Sequence, residues 1–218
     1  MKQPQWKVSL SYIKDVPIEE TSSKYNEVLE VLLVQGRYQL ITDKVIYSFA
    51  DKYDNFTDSL KRIDFSKVKK CLILGFGLGS IPYTIENVMG HKISYTGVEI
   101  DEEVVYLASK YVLDDLKSDI SLVNTDAISY VYMDNGKYDL ICLDLFFDDV
   151  IPAEVLTIEY MERLKSLLRK NGTLLMNNLY FTNKDMKYTD AFISDVFSVV
   201  FPNHQFMIAG HNKMLFNQ

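Results

Sequence analysis

The sequence predicts an α/β protein in which helices cover both faces of a parallel sheet, preceded by a small antiparallel β domain. From about residue 68 onward, buried apolar runs alternate with segments of helical periodicity. A glycine-rich turn follows the first of these runs, in "CLILGFGLGS" (71–80). The first 60 residues contain short β-rich runs instead. We therefore expect a β-hairpin domain over 1–62 and an α/β domain over 63–218.

Length and composition limit the function classes. The chain has 218 residues, of which 48% are hydrophobic, and its net charge of −7 comes with scattered basic residues, which argues against a nucleic-acid partner. No apolar run approaches the roughly 18 residues of a membrane span, and no targeting segment is evident. Cys71 and Cys142 lie in apolar runs, and the three histidines lack metal-ligand spacing. These features predict a cytoplasmic protein that binds a small molecule and no metal.

The N-terminal region predicts strands. Trp6, Val8, Leu10 and Tyr12 alternate with polar residues, which indicates a first half-buried strand. Residues 25–49 contain three further β-rich runs, separated by turn signals at 35–36 and 42–43. These runs predict antiparallel hairpins.

The rest of the chain predicts alternating elements. The expected strands cover 71–74, 93–100, 120–124, 138–144 and 173–177, with two closing strands near 204–209 and 212–216. A helix follows the glycines, and the next begins at Asp101, whose acidic neighbours suit a helix N-terminus. A short helix is expected over 126–133, a long one from Pro152 to a stop at 169–172, and another over 187–199.

The glycine turn predicts a nucleotide site. Gly75, Gly77 and Gly79 would let a ligand approach the backbone at a helix N-terminus. Glu99 stands twenty residues after Gly79, at the end of the second strand, where a carboxylate can accept both hydroxyls of a ribose. The alternative is that Glu99 is a solvated acid at a strand end.

One residue of the turn departs from the dinucleotide-binding pattern, and it indicates the type of nucleotide. Ser80 stands where the dinucleotide pattern GxGxxG requires glycine, which favours an adenosyl ligand without pyrophosphate. Asp126 and the backbone of Ala127 could then read an adenine, although Asp126 is equally suited to cap a helix. Asp144 completes a series of polar residues at successive strand ends, where parallel sheets bind ligands.

Three segments carry a family resemblance. "SKYNEVLEV" (23–31), "GRYQLITDKVIYS" (36–48) and "YDLICLDLFFDDVIPAEVL" (138–156) resemble the family patterns S-x-Y-Q-x-I-x-V, G-x-x-L-x-L-D-G-x-x-Q and YDVIIxDSSDPxGPAExL. These patterns belong to the spermidine synthase, or polyamine aminopropyltransferase, branch of the class I S-adenosylmethionine-dependent methyltransferases. The likeness covers nearly the whole chain.

The resemblance implies a Rossmann-like fold with a mostly parallel seven-stranded sheet. It also implies S-adenosylmethionine or its decarboxylated form as the cofactor, no metal, a small-molecule acceptor and a homodimer. The cofactor-binding residues it implies, together with the residues argued above, are Gly75, Gly77, Leu78, Gly79, Glu99, Ile100, Asp126, Ala127 and Asp144.

The chain departs from the family in the substrate region. Phe146 replaces a serine of the DSSDP pattern, and Asp148 is displaced by one residue; Asp148 would attract a cationic acceptor or form a solvated turn. Phe56-Thr57-Asp58 stands in place of a Tyr-His-Glu pattern, and Tyr47 replaces a glutamine. Aromatic residues after two strand ends could hold a cation. The candidate substrate residues are Tyr47, Asp58, Phe146, Asp148 and Tyr180.

Asp144 is the candidate catalytic residue, because only a neutral amine can attack the carbon bound to the sulfonium and a carboxylate can accept its proton. It could instead cap the following loop. Leu78 replaces an aspartate of the family, which makes intact S-adenosylmethionine more acceptable and favours methyl transfer to a small, amine-bearing acceptor. The alternatives are aminopropyl transfer from decarboxylated S-adenosylmethionine to putrescine and a non-catalytic adenosyl-binding protein. Ser80 disfavours an NAD-dependent oxidoreductase.

Overall fold

The computed structural model describes residues 3–42, 46–146 and 150–218, and its strands form two sheets. The smaller sheet is antiparallel, with its strands in sequence order. Its members are Val16–Thr21 (β1), Leu29–Val34 (β2), Arg37–Ile41 (β3) and Ile46–Ser48 (β4). The three hairpin strands predicted within 25–49 are confirmed as β2, β3 and β4.

The larger sheet has seven strands in the order β10-β11-β9-β8-β5-β6-β7. They are Lys70–Leu74 (β5), Ser94–Glu99 (β6), Ile120–Asn124 (β7), Tyr138–Leu143 (β8), Leu168–Leu179 (β9), Gln205–Ala209 (β10) and Asn212–Phe216 (β11). Strands β5 to β9 pair in parallel, whereas β11 pairs antiparallel with both β9 and β10. The predicted mostly parallel seven-stranded sheet is confirmed.

Helices precede the two sheets and connect the strands of the larger one. They are Gln5–Leu10 (α1), Asp54–Leu60 (α2), Ser80–Tyr83 (α3), Glu102–Tyr111 (α4), Ala127–Met133 (α5), Ile158–Leu167 (α6), Asn183–Phe192 (α7) and Ser198–Val200 (α8). Wider π-helical turns at Thr84–Val88 and Ile193–Phe197 continue α3 and α7. The predicted start of α4 is confirmed, since the Asp101 side chain accepts the Glu103 N–H. Within the described residues, every helix is too short or too polar to span a membrane.

The first predicted strand is wrong, because the residues around Trp6 to Leu10 form α1. Pro4 begins the helix, and its carbonyl accepts the N–H groups of Lys7 and Val8. The alternating apolar side chains find no sheet face to cover, and Trp6 is 62% exposed. The actual first strand, β1, contains Pro17, which is tolerated because β1 lies at the sheet edge.

The helix predicted from Pro152 to 169–172 is confirmed only over Ile158–Leu167 (α6), and both of its predicted ends are wrong. A short 3₁₀ turn covers Ala153–Leu156, and α6 then begins at a new cap, where the Thr157 hydroxyl accepts the Tyr160 N–H. Leu168 is extended and already belongs to β9. Asn171 takes a φ of 65° within β9, near an irregularity in the β8–β9 register. The turn signal at 171–172 therefore marks a distortion inside a strand and not a helix end. The helix predicted over 187–199 starts earlier, at the capping box of Thr182 and Asp185.

The two sheets share one core. Leu29, Val31 and Leu40 of the smaller sheet belong to the same buried cluster as Cys71 and Ile73 of β5. Helix α2 adds its buried side chains to this cluster and contacts β9, β10 and β11. The proposed boundary between 1–62 and 63–218 therefore crosses a continuous core.

The strand order reverses between β5 and β8. From β5 the chain continues outward to β6 and β7, and then returns to place β8 on the other side of β5. At such a reversal the two following loops diverge to opposite faces and leave a crevice outside the carboxyl ends of the strands. A ligand site is therefore expected beside the residues that follow Leu74 and Leu143.

Candidate active site

The glycine turn after β5 brings two strand ends into contact. Gly75, Gly77 and Gly79 all have positive φ angles, of 85°, 56° and 87°. A Cβ atom at Gly75 would lie 2.2 Å from the backbone oxygen of Asp144, at the end of β8. Glycine is therefore required at position 75 both for its conformation and for this close approach.

A cavity of about 220 Å³, which we call the main cavity because it lies at the strand ends with Asp144, opens at this point. Part of its wall comes from the smaller sheet and the start of α2, part from the glycine turn, and part from the ends of β8, β9 and β11. These residues are Ile46, Tyr47, Ser48, Tyr53, Asn55, Gly75, Phe76, Gly77, Ser80, Ile81, Asp144, Phe146, Asn177, Leu179 and Asn212. Of the predicted site residues, the structure brings Gly75, Gly77, Asp144, Tyr47 and Phe146 together here.

Asp144 holds a carboxyl group between two hydrogen-bond donors. The Tyr53 hydroxyl donates to Oδ2 over 2.8 Å, and the Asn177 amide donates to Oδ1 over 2.8 Å. Burial raises the pKa of Asp144 to about 6, although the hydrogen bonds from Asn177 and Tyr53 oppose this shift. The carboxyl group is thus ionised at neutral pH and accepts a proton more readily than an ordinary aspartate does.

A second amide stands behind Asn177. The Asn212 side chain donates to Asn177 Oδ1 over 2.8 Å. Sequence reasoning missed Tyr53, Asn55, Asn177 and Asn212. Asn177 ends the strand predicted over 173–177, so its place at a strand end was an available signal. Asn212 had none, because it reaches the site only through the antiparallel pairing of β11 with β9.

Glu99 lies beside the glycine turn, as its spacing predicts. Its side chain is 3% exposed, which excludes the alternative of a solvated acid. The backbone N–H of Gly77 donates to Oε2 over 3.0 Å, and that of Asp101 donates to Oε1 over 3.2 Å. Burial raises the pKa of Glu99. Both oxygens are engaged by the backbone in this structure, and binding of a ribose stays a prediction.

Asp126 caps helix α5. Its carboxylate accepts the backbone N–H groups of Ile128 and Ser129 over 3.3 and 2.8 Å, and also accepts the Ser129 hydroxyl. The capping alternative therefore describes this residue, while contact with an adenine stays a prediction. Ala127 is buried in the first turn of α5, and Ile100 is 38% exposed just after β6.

Leu78 points to a different part of the molecule from Asp144. Its side chain is 2% exposed and lines a second cavity of about 130 Å³, together with Tyr38, Tyr83 and Tyr111. Leu78 is not among the residues that line the main cavity. The effect of Leu78 on the choice between intact and decarboxylated S-adenosylmethionine therefore stays a prediction.

Ser80 joins the smaller sheet to the glycine turn, and Tyr47 of β4 lines the cavity beside it. The Ser80 and Ser48 hydroxyls lie 2.7 Å apart, and Ser80 Oγ accepts the Phe49 N–H over 3.1 Å. Burial raises the pKa of Tyr47, and the carboxylates of Glu99, Asp101 and Asp144 raise it further. The Tyr47 hydroxyl therefore stays protonated at the cavity wall.

The other candidate substrate residues lie elsewhere. Asp58 is exposed on α2 and pairs with Lys61 over 2.7 Å. The Tyr180 hydroxyl donates to Asp190, and Lys213 Nζ lies 3.8 Å from the centre of its ring. Neither residue lines the main cavity. Asp148, together with Phe147 and Asp149, lies outside the described residues. No three metal-binding side chains cluster in the parts of the chain that the structure describes.

The chain is similar in sequence to known proteins. A family model described as "Spermine/spermidine synthase domain" matches residues 56–216. The polyamine aminopropyltransferase of Vibrio vulnificus (strain CMCP6) is 30% identical over 134 residues, which are 60% of this chain and 44% of that protein. The chain spans less than half the length of the curated relatives it matches.

Solved structures share the fold at lower identity. Spermidine synthase from Thermotoga maritima superimposes with a TM-score of 0.67 at 16% identity, covering 92% of this chain and 72% of that one. Human methyltransferase-like protein 13, solved in complex with SAH, gives a TM-score of 0.59 at 21% identity and covers 76% of this chain and 79% of that one. Identities this low carry the fold alone, and they confirm the Rossmann-like methyltransferase fold with its small N-terminal sheet.

Proposed function

The chain belongs to the spermine/spermidine synthase domain family, and from that premise we propose that it transfers an aminopropyl group from decarboxylated S-adenosylmethionine to a small amine. The observation that carries the proposal is Asp144, a partly buried carboxyl group with a pKa of about 6 at the cavity beside the glycine turn. The similarity to a polyamine aminopropyltransferase supports the same reaction. We therefore rank aminopropyl transfer above methyl transfer.

The residues fit an adenosyl donor. The positive φ angles of the glycine turn and the absence of side chains at Gly75 and Gly77 leave backbone open to the cavity. Glu99 holds a carboxylate at Gly77, where ribose hydroxyls could replace backbone N–H groups as its partners. The donor would supply a carbon activated by a sulfonium, and Glu99 and the turn would orient it.

Asp144 would then handle the proton of the acceptor. In the proposed reaction the amine nitrogen forms a bond to the activated carbon, the carbon–sulfur bond breaks with its electrons going to sulfur, and the amine proton passes to Asp144. A carboxylate has about four lone-pair positions, and Asn177 and Tyr53 occupy two of them. The remaining positions are available for the acceptor, and the fixed carboxylate would hold the nitrogen for in-line attack.

The test is a turnover assay with matched donors. The protein is incubated with a panel of monoamines and diamines, including putrescine, and with either the decarboxylated or the intact donor. We expect methylthioadenosine from the decarboxylated donor, with kcat/KM rising as the pH passes through about 6 and Asp144 loses its proton. Asp144→Asn should lower kcat/KM by about 10² to 10⁴, the usual contribution of a proton-transfer group.

Methyl transfer is the second candidate. Residues 75–80 contain no carboxylate, so nothing in the turn itself repels the carboxylate of the intact donor. S-adenosylhomocysteine formed from the intact donor, with none of the other product, would establish this reaction and overturn aminopropyl transfer. Calorimetric binding without either product would favour a non-catalytic adenosyl-binding protein. The homodimer stays a prediction, which light scattering of the purified protein tests.

A further inference from the structure

A line of side chains crosses three neighbouring strand ends of the larger sheet. In the β8–β9 register Leu143 faces Met176, so the next positions are Asp144 and Asn177. In the β9–β11 register Asn177 faces Met214 and Leu179 faces Asn212. Asn212 is therefore a diagonal neighbour of Asn177 on the same face, within reach of its side chain. The sheet order aligns Asp144, Asn177 and Asn212 along one wall of the cavity.

The hydrogen bonds that join Asp144, Asn177 and Asn212 can run in only one direction. An ionised Asp144 can only accept, so Asn177 must turn its NH₂ group toward Oδ1. The Asn177 carbonyl oxygen then faces away and needs a donor. The Asn212 NH₂ group supplies it at 2.8 Å. The orientation of Asn177 thus depends on a residue that lies one strand beyond it.

We infer that Asn212 is a positioning residue for Asp144: by holding the Asn177 amide in one orientation, it keeps the NH₂ group directed at Asp144 Oδ1. This inference rests on the proposed function for its catalytic meaning, but the positioning itself concerns only the chain's own atoms. Without Asn212, the Asn177 amide loses the partner of its oxygen and turns or withdraws. Asp144 then loses one of its two donors, and its ionised form becomes less favourable.

The other titratable groups near Asp144 do not change this expectation. Tyr53, at the start of α2, donates to Oδ2 and stays protonated, because burial raises its pKa. Tyr47, on β4, stays protonated for the same reason. Glu99, on β6, is held by the backbone of Gly77 and Asp101, and none of these contacts involves Asn177 or Asn212. These groups stay constant between the variants compared below.

The experiment measures the pKa of Asp144 directly, so it needs no turnover. Aspartate side-chain carboxyls are labelled with ¹³C, the Asp144 signal is assigned by its loss in Asp144→Asn, and it is titrated in four proteins. These are the natural protein, Asn212→Ala, Asn177→Ala and the double variant. Asn212→Ala should raise the pKa of Asp144 by about half a unit to one unit, the size expected for a weakened hydrogen bond to a carboxylate. In the Asn177→Ala background the same change should add nothing.

Asn212→Asp provides a second route if the alanine variant folds poorly, since it has nearly the same shape. It accepts only, so Asn177 should turn its NH₂ group away from Asp144. In the Asn177→Ala background, Asn212→Asp changes the pKa of Asp144 only through its new charge. With Asn177 present, the rise in the pKa of Asp144 must be larger than this. Asn203→Ala, at an exposed position, is the matched control and should leave the pKa of Asp144 unchanged.

Two results would overturn the inference: no change in the pKa of Asp144 on Asn212→Ala, or an equal change with and without Asn177. If turnover is observed, the acidic limb of kcat/KM should move upward with the pKa in Asn212→Ala, while KM for the donor stays constant. If the titration behaves as expected and no turnover occurs with any donor, the positioning stands and the proposed reaction is wrong. The two failures are therefore distinguishable.

Discussion

The folded protein disfavours the charged form of the Asp144 carboxyl group. Desolvation raises its pKa to about 6 from an ordinary 3.8, even with Tyr53 and Asn177 donating to both oxygens. A raised pKa means that the folded state binds this proton more tightly than the unfolded chain does. The residue that suits proton transfer at neutral pH therefore reduces stability at that pH.

Replacing Asp144 by asparagine should stabilise the protein at neutral pH. Since the folded-state pKa lies above the unfolded one, the penalty develops as the pH rises from about 4 to about 6 and is complete above that range. Asp144→Asn should raise the free energy of unfolding by up to about 3 kcal/mol at pH 7, and the gain should vanish below pH 4. Denaturant unfolding across the pH series measures it. Asp58→Asn, at an exposed ion pair, should change little at any pH, and a pH-independent gain at Asp144 would contradict the explanation.

Gly75 is a second residue whose type is restricted by a neighbouring group, the backbone oxygen of Asp144. Alanine at this position meets both the left-handed backbone and the oxygen of Asp144 at 2.2 Å. We expect Gly75→Ala to lower the free energy of unfolding by more than about 3 kcal/mol, because strand ends must separate to admit the methyl group.

Gly90→Ala is the matched control for Gly75→Ala. Gly90 has a similar φ of 76° but nothing within 4 Å of an added Cβ, so it should lose only the roughly 1–2 kcal/mol of the backbone term. Thermal unfolding of both variants makes the comparison. Equal losses would mean that contact with Asp144 contributes nothing.

Ser80 shows how one side chain joins two elements. In the sequence it is the residue that breaks a dinucleotide pattern. In the structure its hydroxyl bonds to the Ser48 hydroxyl and accepts the Phe49 N–H, so it attaches the end of β4 to the first turn of α3. The smaller sheet and the glycine turn are held together at the cavity by these two bonds.

Removing the Ser80 hydroxyl should loosen this junction. Ser80→Ala should lower the free energy of unfolding by about 1–3 kcal/mol, because the buried Ser48 hydroxyl and the Phe49 N–H lose their partner. Ser109→Ala, on the exposed face of α4, is the control and should cost less than about 0.5 kcal/mol. Chemical denaturation measures both. Equal small losses in the two variants would show that the junction does not depend on Ser80.

Ser80→Gly restores the glycine pattern of dinucleotide-binding proteins, and it tests the type of nucleotide. We expect no gain in NAD affinity by calorimetry, because the substitution removes only the Ser80 hydroxyl and leaves Glu99 bound to the backbone of Gly77 and Asp101. Tight NAD binding by this variant or by the natural protein would contradict the adenosyl assignment.

At the scale of the whole molecule, the two sheets are linked by buried polar contacts as well as by the shared core. Asp101 is fully buried, and its carboxylate accepts the Ser23 hydroxyl and the Asn26 amide from the segment before β2. The Asp101 N–H donates in turn to Glu99. The N-terminal segment, helix α4 and the glycine turn are therefore connected through two carboxylates.

This continuity predicts that both sheets unfold together. Amide hydrogen exchange of peptides covering β2–β3 and β5 should report the same opening free energy, because Leu40 and Ile73 lie in one buried cluster. Asp101→Ala should lower both values equally. Exchange of β2–β3 at a distinctly lower free energy would mean that the segment 1–62 behaves as a separate unit, as the sequence suggests on its own.

Sequence patterns were enough to predict the parallel sheet, the glycine turn, the position of Glu99 beside it and the location of Asp144 at a strand end. The sheet, the turn and Asp144 depend on local patterns in which a buried strand is followed by a turn, and Glu99 depends on its spacing of twenty residues after Gly79. The errors at 6–12 and 152–172 arose where local patterns were ambiguous. A short alternation of apolar residues suits an exposed helix as well as a strand, and a turn signal can lie within a strand.

The side chains that meet at Asp144 could not be predicted from sequence patterns and depend on the folded arrangement of the chain. Tyr53, Asn177 and Asn212 come from segments up to 159 residues apart in the sequence, and only the strand order and the packing of α2 bring them together. The folded arrangement also separated three predicted site residues from the main cavity: Leu78 and Asp58, which align with patterns of the family, and Tyr180, which follows a strand end. Local sequence specifies the direction of the chain at a strand end. The neighbours of a side chain depend on the pairing of distant strands, and that pairing is set by burial of the whole core.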